Sequence, residues 1–157
     1  QNAAVAKIYG LQAGVEWMFA NGLRFSSDLN IQVGEEELDD GSTSTSRHAA
    51  PTYGISRISW IKHKLNLQIY AMYQAERSHD KLPQEEQGKT EIYAKDADGN
   101  AYSPAWYTVN IKAMYPISKS ITLNAGIENL TDQRYRPYSS GISGAGRNFL
   151  ISMAAQF

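Results

Sequence analysis

From Leu23 to Val33 the chain alternates. Leu23, Phe25, Leu29, Ile31 and Val33 fall on one side of an extended strand, and Arg24, Ser26, Asp28, Asn30 and Gln32 fall on the other. A packed soluble core does not accept polar or charged groups at every inward position, because buried charge without a partner is costly. A wide barrel in a membrane accepts this pattern. Its oily side meets lipid and its wet side lines a polar lumen. The last eleven residues, Arg147 to Phe157, repeat the period. Phe149, Ile151, Met153, Ala155 and Phe157 alternate with Asn148, Leu150, Ser152, Ala154 and Gln156. A strand ending on an outward aromatic suits a membrane barrel with an interfacial girdle. Taken alone, the final strand of a soluble sandwich fits equally.

Five further segments read as strands: Ile8 to Phe19, Tyr53 to Ile61, Leu65 to Glu76, Trp106 to Tyr115 and Ile121 to Glu128. The second of these has the least regular pattern. A small hairpin is expected between Glu91 and Tyr102, turning at Asp98-Gly99. The connections alternate in length. Those near residues 21, 63 and 118 are short, and those near 42, 90 and 138 are long. Antiparallel strands put alternate connections at opposite ends, so the short turns share one end and the long loops the other. Bacterial outer-membrane barrels have that asymmetry, with short periplasmic turns and long extracellular loops. The expected fold is all-β: about seven antiparallel strands of a transmembrane barrel. Seven is an odd count, and the two outer strands would be open edges in lipid. Residues 1–157 are therefore expected to be the C-terminal part of a larger barrel. Gln1 follows no initiator Met or signal peptide, which also points to a mature segment or fragment.

Composition narrows the functional classes. Fifteen Lys and Arg against sixteen Asp and Glu give a formal charge of -1, so no global field attracts nucleic acid. Cysteine is absent, which removes disulfides, thiolate metal sites and cysteine nucleophiles. No apolar run approaches the ~20 residues of a membrane helix. Ten Tyr and three Trp are numerous for 157 residues, and interfacial belts use both.

Residues 121–157 resemble the C-terminal end of TonB-dependent outer-membrane receptors. The matching features are Gly126-Ile127-Glu128-Asn129-Leu130-Thr131-Asp132, Tyr135, Gly146-Arg147-Asn148-Phe149 and the terminal Phe157. Tyr9-Gly10-Leu11 with Gly14-Val15-Glu16 looks like the same family. Asp98-Gly99-Asn100 with Ser103-Pro104-Ala105-Trp106-Tyr107 looks like its Bacteroidetes-type version. The resemblance implies a plugged barrel of about 22 strands in the bacterial outer membrane. It implies uptake of a scarce ligand such as an iron chelate, haem or cobalamin, powered by TonB through an N-terminal plug region that these residues do not include. It also implies contact with outer-membrane lipid and with the barrel-assembly machinery, for which Phe149, Ile151, Met153 and Phe157 form the C-terminal signal. The alternatives are another outer-membrane barrel of porin type and a soluble carbohydrate-binding β-sandwich.

On turn chemistry, the family positions read mainly as strand-end architecture, with Asn129 and Asp132 bonding the local backbone. Arg147 is expected to pair with a lumen or loop carboxylate. Ligand contact is expected in the long loops. There Arg134, Tyr135, Arg136 and Tyr138 bring cations and rings together, and Tyr102 and Trp106 flank the neighbouring loop. Such groups suit an anionic chelate or a sugar ring; anchoring at the membrane interface also explains the aromatics. His79, beside Asp80, is a further candidate. His48, His63 and His79 lack metal-ligand spacing, so no metal or cofactor is expected. The acidic run Glu35, Glu36, Glu37, Asp39 and Asp40 is expected in a polar loop from Glu35 to Ala50, as a solvated face or as a surface site for a divalent cation. Asp96, Asp98 and Asn100 read as a turn, since Gly99 is misplaced for a calcium loop. No nucleophile, base and orienting group fall together, so no enzyme is expected.

Overall fold

The computed structural model describes residues 5–156. The terminal Phe157 of the expected assembly signal lies outside the described residues. The strands are β1 (Ala6–Met18), β2 (Leu23–Glu37), β3 (Thr43–Thr45), β4 (Tyr53–Lys62), β5 (Leu65–Gln74), β6 (Ala94–Lys95), β7 (Ala101–Tyr102), β8 (Trp106–Pro116), β9 (Ile121–Glu128) and β10 (Asn148–Ala155). One antiparallel sheet runs β1-β2-β4-β5-β8-β9-β10, with β3 added to β2, and β6-β7 form a separate ribbon. The seven expected long strands are all present. β6 and β7 are the hairpin expected near Asp98-Gly99, reduced to two residues on each side.

Cross-strand partners point to the same face, so the register shows which residues share a surface. Trp17 pairs with Phe25, Phe25 with Ile58, and Ile58 with Ile69. Ile69 pairs with Ile111, Ile111 with Ile127, and Ile127 with Phe149. One apolar surface thus crosses all seven strands without a break. Arg24, Asp28, Arg57, Gln68, Lys112, Asn124 and Ser152 belong to the opposite face. Charges there pair across strands: Arg57 meets Asp28 at 2.8 Å and Arg24 meets Glu16 at 3.6 Å. Two serine hydroxyls do lie on the apolar face, those of Ser27 and Ser56. They hydrogen-bond each other at 2.9 Å, as groups facing hydrocarbon must.

The sheet is a single layer. Phe149 is 72% exposed, Ile151 78% and Leu11 64%, large apolar side chains left open on one face, where soluble monomers rarely expose a contiguous apolar patch above a few hundred Å². A sandwich would cover this face with a second sheet, and none is present among the described residues. Leu23 to Val33 matches the ~9–11 residues that a tilted strand uses to cross a bilayer. The small buried core of Leu82, Tyr93 and Ala101, with Ile92 and Tyr138 against it, lies in the long loops.

The turns sort as the connection lengths imply. Asn21 and Gly22 take positive φ of 65° and 79° between β1 and β2. A Cβ at Gly22 would strike the Ile61 carbonyl of the neighbouring strand, so only glycine fits that position. His63, at φ 53°, makes a two-residue turn between β4 and β5.

One boundary differs from expectation. Glu35, Glu36 and Glu37 do not sit in a loop. They extend β2, pairing with Lys7 and Ala6 on one side and with Thr45, Ser44 and Thr43 on the other. The local sequence is poor strand material, but ladder partners on both flanks, distant β1 on one side and the β3 segment that folds straight back on the other, override it. The polar loop begins at Leu38.

Candidate functional site

The motif around Asn129 is a clasp at the long-loop end of the sheet. Asn129 takes φ 48°, a left-handed conformation that asparagine tolerates better than most residues. Its side chain is buried and fully used. Nδ2 donates to the Gln133 carbonyl at 2.8 Å and to the Ala145 carbonyl at 3.0 Å, and Oδ1 accepts from the Gln133 N–H at 2.9 Å. The Asn129 N–H donates to Asn110 Oδ1 at 2.9 Å, fastening the clasp to β8. Asp132 accepts the Arg147 N–H at 2.7 Å and so launches β10. The expected pairing of Arg147 with a carboxylate through its guanidinium is not what forms. Arg147 Nε donates to the Leu130 carbonyl at 3.0 Å, and its backbone is the partner of Asp132. The reason is proximity: the loop returns the Leu130 carbonyl, an acceptor with no strand partner to serve, directly beside the guanidinium.

Four of the seven ligand-contact candidates share one cleft of about 400 Å³. Trp106, Arg134, Tyr135 and Arg136 line it, together with Thr90 to Ala94 and Ser103 to Ala105. The register puts Trp106 opposite Gln74, on the polar face of the sheet. Its ring lies against Tyr135, with centroids 4.4 Å apart. Gly144 is needed behind this pair, since a Cβ there would enter the Tyr135 ring. Arg136 is committed to the wall, donating Nη1 to the Glu91 carbonyl at 2.9 Å and to the Ile92 carbonyl at 3.3 Å. Arg134 is exposed and makes no ion pair among the described residues. The Trp106 indole N–H is buried with no protein acceptor among them. Chemically the cleft offers a free guanidinium, an indole donor and two aromatic rings.

The other three candidates lie elsewhere. His79 Nδ1 contacts the Ala101 carbonyl at 3.0 Å, and Asp80 accepts the Ser78 hydroxyl at 2.5 Å, so this pair shapes its own loop. Tyr102 stands in the β6-β7 ribbon. Tyr138 packs against Tyr93 with Arg77 over its ring at 5.4 Å, in the loop core. Burial raises the Tyr138 phenol above its usual range. The Asp96 carboxylate serves the hairpin turn. It accepts N–H groups from Asn100 at 2.8 Å and Asp98 at 2.9 Å, and these bonds hold it below the usual carboxylate range.

Sequence reasoning missed Glu86. Its carboxylate is completely buried, yet it comes from the polar run Gln84-Glu85-Glu86-Gln87, which reads as solvated loop. Oε2 accepts the Tyr93 hydroxyl. Oε1 accepts the Ser139 hydroxyl at 2.9 Å and faces Arg47 Nε at 3.2 Å and Lys89 Nζ at 3.7 Å. No periodicity marks such a residue. The nearest signal is the adjacent Leu82-Pro83, an apolar pair in a polar loop.

Burial and the Glu86 bond push the Tyr93 phenol well above its ordinary range. A raised folded value means the contribution is fully present below about pH 10, the unfolded tyrosine value, and is lost as pH rises through the folded one. The loop cluster is therefore expected to loosen above about pH 10 before the sheet does. Tyr93→Phe is expected to shrink that step, the buried Tyr138 phenol beside it contributing the remainder. Limited proteolysis of the loops across this range checks both, and equal resistance at neutral and strongly alkaline pH counts against the assignment.

No family model matches the sequence, and no curated protein matches it either. Solved structures do. The copper transporter OprC superposes with a TM-score of 0.76 at 14% identity, covering 97% of this chain and 23% of its own. The FrpB iron transporter from Neisseria meningitidis gives 0.73 at 15%, covering 99% and 24%. The ferripyoverdine receptor of the outer membrane of Pseudomonas aeruginosa gives 0.63 at 18%, covering 97% and 20%.

This is the fold of a TonB-dependent receptor barrel. At these identities the likeness establishes the fold. The chain spans about a quarter or less of each of those three proteins. Within the receptor-barrel fold, its seven long strands are barrel wall, the Asn129 clasp is a strand-end joint, and the Trp106 cleft opens among the long loops.

Proposed function

We propose that this chain is the C-terminal part of the barrel of a TonB-dependent outer-membrane receptor. The receptor imports a scarce nutrient such as an iron chelate, haem or cobalamin. Energy reaches it from TonB through a plug region outside these residues, and its strands are inserted by the barrel-assembly machinery. The observation that carries the reading is the unbroken apolar face across seven strands, backed by a polar face and crowned at one end only by long loops. Transporters of copper and iron with the same fold support transport rather than catalysis.

The decisive experiment deletes the gene carrying this sequence and measures energised uptake of a labelled ferric chelate, haem and cobalamin. One of the three is expected to fall to background, and to fall equally when TonB is depleted. Unchanged uptake of all three overturns the reading. In the intact receptor, Arg134→Ala is expected to weaken binding of an anionic substrate about tenfold, the scale of one charged hydrogen bond. A binding isotherm of the variant checks this, and an unchanged Kd removes Arg134 from the site.

A further inference from the structure

We propose that Glu86 is a positioning residue that locks the three long loops into one cap and thereby fixes the wall of the Trp106 cleft. Its partners come from every long loop. Arg47 lies in the loop before β4, Lys89 and Tyr93 share the loop of Glu86, and Ser139 lies in the loop before β10. Both carboxylate oxygens are used. The Ser139 hydroxyl donates to Glu86 while accepting Arg47 Nε at 3.2 Å, so the three loops meet at one point. Ser139 holds φ 54° to do this, a conformation that persists in a non-glycine residue only when its surroundings enforce it.

Other bonds run between the same loops. Gln84 N–H donates to Ser44 Oγ at 2.9 Å, and Arg77 Nη2 donates to the Ala49 carbonyl at 2.8 Å. Glu86 does not line the cleft, but its neighbours do. Thr90 to Ala94 and Arg134 to Pro137 form the walls, and Arg136 ties one wall to the other. A carboxylate bonded on one side of these segments therefore sets the spacing of the rings and guanidinium on the other. Removing the buried carboxylate leaves the Tyr93 and Ser139 hydroxyls without their acceptor, whereas Arg47 and Lys89 are partly exposed and keep access to water.

The test is amide hydrogen exchange on the intact, unliganded protein in detergent, comparing Glu86→Ala, Glu86→Gln and Ser139→Ala with the parent. Glu86→Ala is expected to raise exchange about tenfold or more in residues 44–49, 84–94 and 135–140 together, with β5 and β8 unchanged. Glu86→Gln, which keeps the side-chain shape and a hydrogen-bonding oxygen, is expected to recover part of the protection. Ser139→Ala removes one donor and is expected to show the same three-loop response at smaller amplitude. It serves as the test if Glu86→Ala does not assemble. A rise confined to residues 84–94 for Glu86→Ala, or to 135–140 for Ser139→Ala, overturns the proposal, as does no rise. Only the consequence for ligand binding rests on reading the cleft as a ligand site. The exchange result uses no ligand, so a failed latch and a failed transport reading are told apart.

Discussion

Ile69→Arg is expected to destabilise the assembled barrel by about 2–4 kcal/mol, the cost of a cationic side chain at the bilayer midplane on a lipid-facing strand position. Ile69 stands mid-way along β5, between Ile58 and Ile111 on the apolar face. Asn124→Arg is the control. Asn124 belongs to the opposite face, between Met114 and Ser152, with Glu128 lining the same hollow. There an arginine meets a polar lumen, and the expected cost is under about 1 kcal/mol. Equilibrium unfolding of the intact protein in phospholipid vesicles measures both. Equal costs at the two positions contradict the assignment of faces.

Asn129→Ala is expected to cost about 3–5 kcal/mol. Three side-chain hydrogen bonds disappear in a buried place, leaving the Gln133 N–H and the Gln133 and Ala145 carbonyls short of partners. Alanine also resists the φ of 48° that asparagine adopts there. Asn129→Gly separates the two causes. It relieves the backbone but not the bonds, and is expected to recover about 1 kcal/mol of the loss. The readout is denaturant stability, together with the amount of heat-modifiable barrel recovered from membranes. A cost below about 1 kcal/mol for Asn129→Ala means the motif is not a clasp.

The reach of sequence reasoning here followed the range of the interactions. Strand identity was legible because side-chain alternation is a local property of extended backbone, visible in ten residues at a time. The short turns were legible for the same reason, since Asn21-Gly22 carries its positive φ in its own composition. Loop length alone assigned the two ends of the sheet. The Asn129 and Asp132 turn chemistry was also local enough to read.

Arg134, Tyr135 and Arg136 were nominated together with Tyr138 as cations and rings close in sequence, and Trp106 with Tyr102 as flanking the neighbouring loop. Sequence could not separate them from Tyr138. Tyr138 is two residues past Arg136, yet it belongs to the loop core beside Tyr93.

By itself, the sequence determined the seven amphipathic strands, their two faces and the end at which the long loops gather. Only the tertiary structure decided that β2 continues through three glutamates, because its ladder partners come from other segments. It also decided that Glu86 is buried. Glu86 and Ser139 are 53 residues apart, and Arg47 lies 92 residues before Ser139. A carboxylate's burial depends on donors delivered by other loops, and no spacing within its own segment records them.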